Sequence, residues 1–256
     1  MEFLVVIIYL LRPRKTMKIH HISDIHCNHD KLVIPDNLDF LIVTGDVSNV
    51  RMPGRNEIEV RRFLTWFHNQ KATHKVFVPG NHDSSIESGY VTRHDFENLG
   101  MHFLDKEGKD IGGLKFWAAP DCPRFGDWSY MRPREEMYDK VWQHMPEDID
   151  ILMTHSPPSG QLDLTDDWSG GSLVHVGCEG LMRAVMDRRP KLHCFGHIHS
   201  TVDPKTNTII CNSSIKKTSM TNTVFSNGSV CMDSKMRKVW SHGNTIDWNW
   251  ILSQQG

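Results

Sequence analysis

The chain has 256 residues, a formal net charge of -2 and 39% hydrophobic residues. A chain of this size can build a core without disulfide staples. Its near-neutral charge argues against a surface that grips long nucleic acids, which is usually strongly basic. The six cysteines form no CxxC pair and several lie in apolar runs. This pattern predicts buried thiols in a reducing compartment, and therefore a cytoplasmic protein.

Residues 1–16 differ in character from the rest of the chain. An apolar run, FLVVIIYLL, precedes the basic residues RPRKT. The run is too short to span a bilayer as a helix, and its order is the reverse of that in a secretory signal. We predict that residues 1–16 are a loose N-terminal extension or reflect an early start, that no segment spans a membrane, and that residues 17–256 form one domain.

Short β-branched or apolar runs predict strands along most of the chain. In chain order they cover residues 18–23, 39–45, 74–80, 114–120, 149–155, 191–197, 208–214, 220–226, 229–233 and 237–241. Helical periodicity appears in 56–70, 92–99, 134–144 and 178–189. Strand and helix alternate in the first half, and strands dominate the last quarter. This order predicts a layered α/β domain with packed sheets and outer helices. The pattern does not place residues 244–256.

Five of the predicted strands end in acidic, amide or imidazole side chains. In chain order these are Asp24, His26, Asp46, Asn81, His82, Asp83, His155, His197 and His199. In open α/β sheets the ligand site lies outside the carboxyl ends of the strands. We therefore expect the nine side chains to meet at one rim.

Local spacing supports this expectation. In an extended backbone, residues i and i+2 point to the same side, so Asp24 and His26 form one such pair. Gly45, Gly80 and Gly196 each precede the polar residues, and glycine allows sharp turns and close approach of a bulky centre to the backbone.

Imidazole and carboxylate ligands suit first-row metals such as manganese, iron and zinc. Two metal ions about 3.5–4 Å apart can clamp a phosphoryl group and generate a hydroxide nucleophile. A carboxylate can bridge such a pair because each oxygen can bind one ion. The residues therefore predict a site for two divalent or trivalent metal ions.

Five short motifs in this chain resemble, in order, those of the calcineurin-like metallophosphoesterase superfamily. They are DIH (24–26), GDVSN (45–49), GNHD (80–83), THSPP (154–158) and GHIH (196–199). The resemblance implies a four-layer αββα sandwich with two mixed sheets flanked by helices. It also implies that Asp24, His26, Asp46 and His199 hold one metal, and that Asp46, Asn81, His155 and His197 hold the other. By the same resemblance, His82 is the general acid and Asp83 orients it.

Longer stretches resemble a subgroup, the small metallophosphoesterase-domain proteins and their bacterial cyclic-nucleotide phosphodiesterase relatives. These stretches are APDCPRFGDWSY (119–130), HSPPSGQLDL (155–164), HVGCEGL (175–181) and RPKLHCFGHIH (189–199). The resemblance implies hydrolysis of phosphodiesters, among them cyclic nucleotides, in a small-molecule substrate that can be a nucleotide.

Three other functions stay open at this point. A phosphomonoesterase, such as a protein or nucleotide phosphatase, would need extra cations for its more charged substrate, and no arginine stands out for that role. A nuclease fits poorly with the near-neutral charge. A binding scaffold that has lost catalysis would be expected to lack ligands, whereas all seven are present. The sequence does not fix the oligomeric state, and a dimer is possible.

Several further residues allow both a functional and a structural interpretation. His175 can lean over the site or lie in a loop. Trp128 and Tyr130 can stack on a nucleobase or pack inside the fold. We expect His20, His21 and His193, which lie within strands, to be hydrogen-bonded core residues.

Overall fold

The computed structural model describes residues 16–255 except 168–170, 204, 219, 233–235 and 237. The proposed extension therefore lies almost entirely outside the described residues. Within them, two large sheets contain eleven strands: β1 Lys18–Ile22, β2 Leu38–Val43, β3 Ala72–Phe77, β4 His102–Phe103, β5 Glu107–Ile111, β6 Leu114–Ala119, β7 Ile151–Thr154, β8 Leu192–Phe195, β9 Ile215–Lys217, β10 Val224–Asn227 and β11 Asn244–Asp247. The α-helices are α1 Pro53–His68, α2 Ser84–Glu87, α3 Arg93–Glu97, α4 Met137–Lys140, α5 Glu179–Arg188 and α6 Trp248–Ser253.

Both sheets are mixed. The first has the order β11-β1-β2-β3-β4, with β1 to β4 parallel and β11 antiparallel to β1. The second has the order β9-β10-β8-β7-β6-β5, in which β6, β7, β8 and β10 are parallel and the two edge strands are antiparallel. Small ribbons, each of two short strands, lie outside these sheets.

Side chains that alternate along each strand point into different layers of the fold. Phe40 and Ile42 of β2 join the cluster between the sheets, with Phe116 and Ala118 of β6 on the opposite side. The intervening Leu41 of β2 packs in a second cluster, with the apolar face of α1. Trp117 of β6 packs in a third cluster with residues of α4 and α5. Because successive strand side chains point to opposite faces, this alternation produces the predicted four-layer αββα sandwich.

The sequence of α1 explains why this segment is helical. Val60, Phe63, Leu64 and Phe67 are buried and recur at the spacing of one helix face. Pro53 occupies the first turn, where its missing N–H is not needed. Burial of each large side chain stabilises the fold by about 1.5–3 kcal/mol.

The structure changes several of the predicted elements. The 134–144 pattern is not one helix but a 3₁₀ turn, the short helix α4 and a second 3₁₀ turn. The strand predicted at 208–214 is reduced to Ile209–Ile210, paired in a ribbon with Thr201–Val202. The segment left unplaced forms β11 and α6, and β11 extends the first sheet at its edge beside β1.

The strand histidines occupy hydrogen-bonded positions. His21 lies between the sheets, with Nδ1 2.8 Å from Ser226 Oγ on β10 and Nε2 2.9 Å from Thr44 Oγ1. Its ring rests on Gly228, where a Cβ would lie 2.7 Å from Cε1. Burial lowers the pKa of His21 from 6.5 to about 3. The neutral ring therefore ties the two sheets together across their interface.

We predict that His21→Gln flattens the pH dependence of stability. The unfolded chain binds a proton at His21 below pH 6.5 and the folded chain does not until about pH 3. The wild-type free energy of unfolding should therefore fall on acidification through that range, with His21 contributing up to about 1.4 kcal/mol per pH unit. Urea unfolding between pH 7 and pH 4 measures this slope.

The matched control is His144→Gln, at an exposed position, which should keep the wild-type slope. Parallel wild-type and His21→Gln curves would contradict the assignment of His21 as a buried neutral base.

Candidate active site

The predicted site residues converge at the seam between the two sheets. Strands β1, β2 and β3 of the first sheet and β7 and β8 of the second end at the same rim. The residues that follow them are Asp24, His26, Asp46, Asn81, His82, Asp83, His155, His197 and His199. Asp24, Asp46 and Asp83 are buried, as are four of the other six, and His197 and His199 are half-buried. Both sheets therefore supply side chains to one cluster.

Two glycines allow the backbone to pass close to the cluster. A Cβ on Gly196 would lie 2.0 Å from Ser23 Oγ and 2.2 Å from Asp24 Oδ2. A Cβ on Gly80 would lie 2.3 Å from Asp46 Oδ1. Because real Cβ atoms do not approach other atoms this closely, any side chain at these positions would push the carboxylates away.

The chain enters the left-handed region at four of the predicted ligands. The φ angles are 52° at Asp24, 46° at His26, 53° at Asp46 and 68° at His197. Non-glycine residues in this region are uncommon and cost free energy. Backbone hydrogen bonds hold them there, including His26 N to Asp46 O at 3.0 Å. Asp24 and His26 therefore reach the seam from a strained turn and not from the extended backbone that their spacing predicted.

The first donor group contains Asp24, His26, Asp46 and His199. His199 Nε2 lies 3.3 Å from Asp24 Oδ1, and His26 Nε2 lies 3.9 Å from Asp46 Oδ2. Donor atoms of Asp24, His26 and His199 all lie within 4.8 Å of one another. Two carboxylates and two imidazoles at this spacing form a donor set suited to a first-row metal.

The second donor group shares Asp46 with the first. His155 Nε2 lies 3.3 Å from Asp46 Oδ2 and 3.0 Å from Asn81 Oδ1. His197 contacts the ring of His155, with centroids 5.0 Å apart. Asp46 therefore lies between the two groups, with its Oδ2 facing both His26 and His155.

Two imidazoles have the hydrogen-bonding pattern of metal ligands. His26 Nδ1 lies 3.2 Å from Ser48 O, and His155 Nδ1 lies 2.7 Å from Thr44 O. In proteins, ligating histidines usually donate one ring N–H in this way, which leaves the other nitrogen for the metal. Among the described residues, buried His26 Nε2 has no hydrogen-bond partner. An unpartnered nitrogen facing a carboxylate fits a metal site.

The protonation states of the donor residues also fit a metal site. Burial alone would raise the pKa of Asp46, but the charges of His155 and His82 outweigh burial and hold that pKa well below its usual range. Burial lowers the pKa of His26 to about 4 and that of His197 to about 3. Near neutral pH these groups are a carboxylate and two neutral imidazoles, the forms that bind metals.

His155 differs because Asp46 outweighs its burial and raises the pKa to about 9. In the absence of a metal its proton partly balances the buried carboxylates.

Asp83 fastens the turn that carries Asp46. Its carboxylate accepts hydrogen bonds from the backbone N–H of Asp46 and Val47 at 3.0 Å and of Gly80 at 2.8 Å. The Ser48 hydroxyl donates a fourth bond at 2.9 Å. These four bonds go to the turns of Asp46 and Gly80 and not to the His82 ring, which the resemblance had Asp83 orient.

His82 lies at the mouth of the site. Its backbone N–H donates to Asp46 Oδ1 at 2.7 Å, and its ring lies 4.9 Å from that of His26. Trp128 covers the other side at 4.3 Å between centroids. The ring is therefore held beside the donor groups by its own backbone and by two aromatic neighbours.

The loop after β6 forms one wall of the mouth. Phe125 is 46% exposed, and its ring lies 5.3 Å from that of His197. Trp128 packs on His82 and carries the Arg51 guanidinium 4.6 Å from its ring centre.

Tyr130 is buried. The His175 ring pairs with Asp163 at 2.6 Å.

Sequence reasoning missed one donor. Cys122 follows β6, and its Sγ lies within 4.8 Å of ring nitrogens of His155 and His197. The signal available in the sequence was its position after a strand of the same sheet, but the prolines on either side, Pro120 and Pro123, are typical of a structural segment.

Comparison with known proteins shows the family of this chain. Residues 17–201 match the family model described as Calcineurin-like phosphoesterase. This chain therefore belongs to the calcineurin-like phosphoesterase family. One solved crystal structure shares the fold, with a TM-score of 0.56 and 13% sequence identity, covering 83% of this chain and 90% of that one.

Several named proteins are similar in sequence. A human metallophosphoesterase domain-containing protein 1 is 29% identical over 70% of this chain and 59% of its own length. A UPF0046 protein of Caenorhabditis elegans is 31% identical over 73% of this chain and 70% of its own length. A probable rhamnogalacturonate lyase C of Emericella nidulans is 32% identical over 70% of this chain, but the match covers only 16% of that protein. The chain thus matches only part of each of these relatives.

We predict that Gly196→Ala displaces Asp24 and weakens metal binding. The added methyl group would meet Ser23 and Asp24 at 2.0–2.5 Å, and overpacking of this kind costs about 1–3 kcal/mol. Thermal unfolding and bound metal per chain measure the two effects.

Gly54→Ala is the matched control because a Cβ there meets its nearest atom, in Tyr90, only at 3.8 Å. If Gly196→Ala kept the stability and metal content of the wild type, the seam would have room for the added methyl group, which would contradict this prediction.

Proposed function

We propose that this protein hydrolyses phosphoesters, specifically phosphodiesters, with the help of two metal ions. The observation that carries the proposal is that two buried carboxylates meet imidazoles from both sheets. One of these imidazoles, that of His26, has a ring nitrogen, Nε2, without a hydrogen-bond partner among the described residues. Membership of the calcineurin-like phosphoesterase family supports the same reaction class.

Asp24, His26, Asp46 and His199 would hold one ion, and Asp46, Asn81, His155 and His197 the other. Manganese, iron and zinc all suit such oxygen and nitrogen donors. When bound, the ions would lower the pKa of a water molecule and offset charge on the phosphoryl oxygens.

His82 would protonate the leaving oxygen. An imidazole is suited to this role because its ordinary pKa lies near neutral pH. The hydrogen bond from the His82 backbone N–H to Asp46 Oδ1 fixes the position of His82 relative to the proposed bridging carboxylate. Asp83 would orient His82 indirectly, by holding the turn of Asp46, whose carboxylate accepts the His82 backbone N–H.

The charges around the mouth favour a diester over a monoester. A monoester carries one more negative charge, so its pocket needs further cations. One candidate, Arg51, lies over Trp128 and pairs with Asp127 at 3.5 Å. A phosphomonoesterase and a binding scaffold are the alternatives that the assay below separates.

The aromatic wall favours a substrate with a planar group. Phe125 is 46% exposed and lies beside His197, and Trp128 lies between His82 and the Arg51 guanidinium. A nucleobase or aryl group could stack there, since aromatic stacking contributes about 1–3 kcal/mol per base. Cyclic nucleotides are therefore the first natural substrates to test.

The proposed setting is the cytoplasm, with a small phosphoester molecule as the partner. The prediction of buried thiols is met by Cys122, Cys178, Cys194 and Cys231 but not by the other two cysteines, since Cys27 is half-buried and Cys211 is exposed. Within the described part of the chain, none of the helices combines the length and apolar character needed to cross a membrane.

The first test compares diester and monoester turnover in manganese. We expect hydrolysis of bis-p-nitrophenyl phosphate to exceed that of p-nitrophenyl phosphate, and chelation to abolish it until metal is restored. Turnover of the monoester alone would favour the phosphatase alternative. A protein that binds two metal equivalents and turns over neither ester would favour the scaffold.

His82→Ala tests the general acid. We expect kcat on a cyclic nucleotide to fall by about 10²–10⁴-fold, because the ribose oxygen leaves poorly without a proton. The loss on bis-p-nitrophenyl phosphate should be much smaller, because nitrophenolate leaves readily. Equal losses on both substrates, or lost metal in the variant, would contradict the role; His144→Ala serves as the surface control.

Phe125→Ala tests the aromatic wall. We expect KM to rise about tenfold for a nucleoside or aryl diester, in line with the loss of one stacking contact, while a dialkyl diester is hydrolysed as before. Steady-state kinetics on both substrate types measure the difference. A uniform change across substrates would assign Phe125 to the support of His197 instead.

A further inference from the structure

The geometry points to Cys122 as an additional, sulfur ligand of the second metal position, which would make that position selective for zinc-like metals over manganese. This inference rests on the proposed function, because it assumes that the donor residues at the seam between the sheets bind metal. It adds a donor that the motif resemblance does not include.

The first support is the environment of the thiol. Three other buried cysteines belong to the three apolar clusters: Cys194 between the sheets, Cys231 in the second cluster and Cys178 in the third. Cys122 is fully buried but is in none of these clusters as the described residues define them. Its Sγ instead shares a donor group with His155 and His197.

The second support is distance. A tetrahedral zinc ion bound to one sulfur and two ring nitrogens separates its donors by about 3.5 Å, given Zn–S and Zn–N bonds of about 2.3 and 2.1 Å. The three donors of this group lie within 4.8 Å of one another. That upper limit exceeds the donor separation around a zinc ion by about 1.3 Å.

The third support is the rigidity of the backbone that carries the thiol. Cys122 N donates to Tyr130 O at 2.8 Å, and the segment Cys122–Pro123 pairs with Met131–Arg132 as a short parallel ribbon. The preceding Asp121 is buried and forms ion pairs with Arg132 and Lys106. A donor on so fixed a segment is positioned before a metal arrives.

The chemistry of coordination balances simply. In the metal-free protein the Cys122 thiol lies 3.4 Å from Pro120 O. Binding breaks the S–H bond, forms the S–metal bond and releases the thiol proton to solvent, and His155 releases its own extra proton when its ring nitrogen binds. Thiolate sulfur favours zinc and other soft or borderline metals, whereas manganese favours oxygen. The first position, which has only oxygen and nitrogen donors, would keep no such preference.

Cobalt(II) titration of the metal-free full chain tests the proposal. We expect ligand-field bands in the visible region and a thiolate-to-cobalt charge-transfer band in the near ultraviolet. Cys122→Ser should lose the charge-transfer band and keep the ligand-field bands, while Cys194→Ala, the matched control, should keep both. Cys122→Ser should also lower the affinity for zinc, relative to manganese, by at least about tenfold.

The outcomes separate this proposal from the proposed function. Ligand-field bands without a charge-transfer band in the wild type, or a charge-transfer band that survives in Cys122→Ser, would overturn the sulfur ligand alone. The absence of both bands would show that the cluster binds no such metal and would overturn both proposals.

A measurement on the wild type covers the case in which Cys122→Ser does not fold. X-ray absorption at the zinc edge should show a sulfur neighbour at about 2.3 Å. A shell of nitrogen and oxygen alone would overturn the proposal.

Discussion

The burial of two carboxylates at the seam is the constraint on which the rest of the site depends. Asp24 and Asp46 are almost fully removed from solvent, and an isolated buried charge is strongly unfavourable. The protein must therefore bring cationic or donating groups to both. The backbone N–H of His197 donates to Asp24 at 2.9–3.1 Å, and that of His82 donates to Asp46. The remaining charge is met by imidazoles, and by metal ions where these bind.

The same constraint explains why both sheets are needed. Asp24 and Asp46 come from the first sheet, whereas the imidazoles of His155 and His199 come from the second. Thr44 joins the two sides: its carbonyl lies 2.7 Å from His155 Nδ1 and accepts the Ser23 hydroxyl at 2.9 Å. The position of the site between the sheets therefore follows from the electrostatics as well as from the topology.

Much of this arrangement is readable from local sequence. Short apolar runs that end in donors predicted β1, β2, β3, β7 and β8, because a buried parallel strand and its terminal polar residues leave a clear pattern. The glycines were readable too, and Gly80 and Gly196 lie where a side chain would strike a carboxylate. The family resemblance, rather than periodicity, supplied the four layers and the division of ligands between two metals.

Other parts were not readable, for physical reasons. Strand β11, NTID, is short and half polar, and it is a strand because its register pairs Ile246 with Ile19 at a sheet edge. The 134–144 segment has helical periodicity, but Val141 lies outside the helical region. Cys122 meets His155 only through pairing of β6 with β7. Each of these features is decided by contacts between distant segments.

The strained turns give the clearest link between structure and chemistry. Residues in the left-handed region cost about 1–3 kcal/mol each where they are disfavoured, yet four predicted ligands adopt it. Asp83 restrains the turns of Asp46 and Gly80 with four hydrogen bonds. The donors are thus held in place by the folded protein itself, so that metal binding need not first order the site.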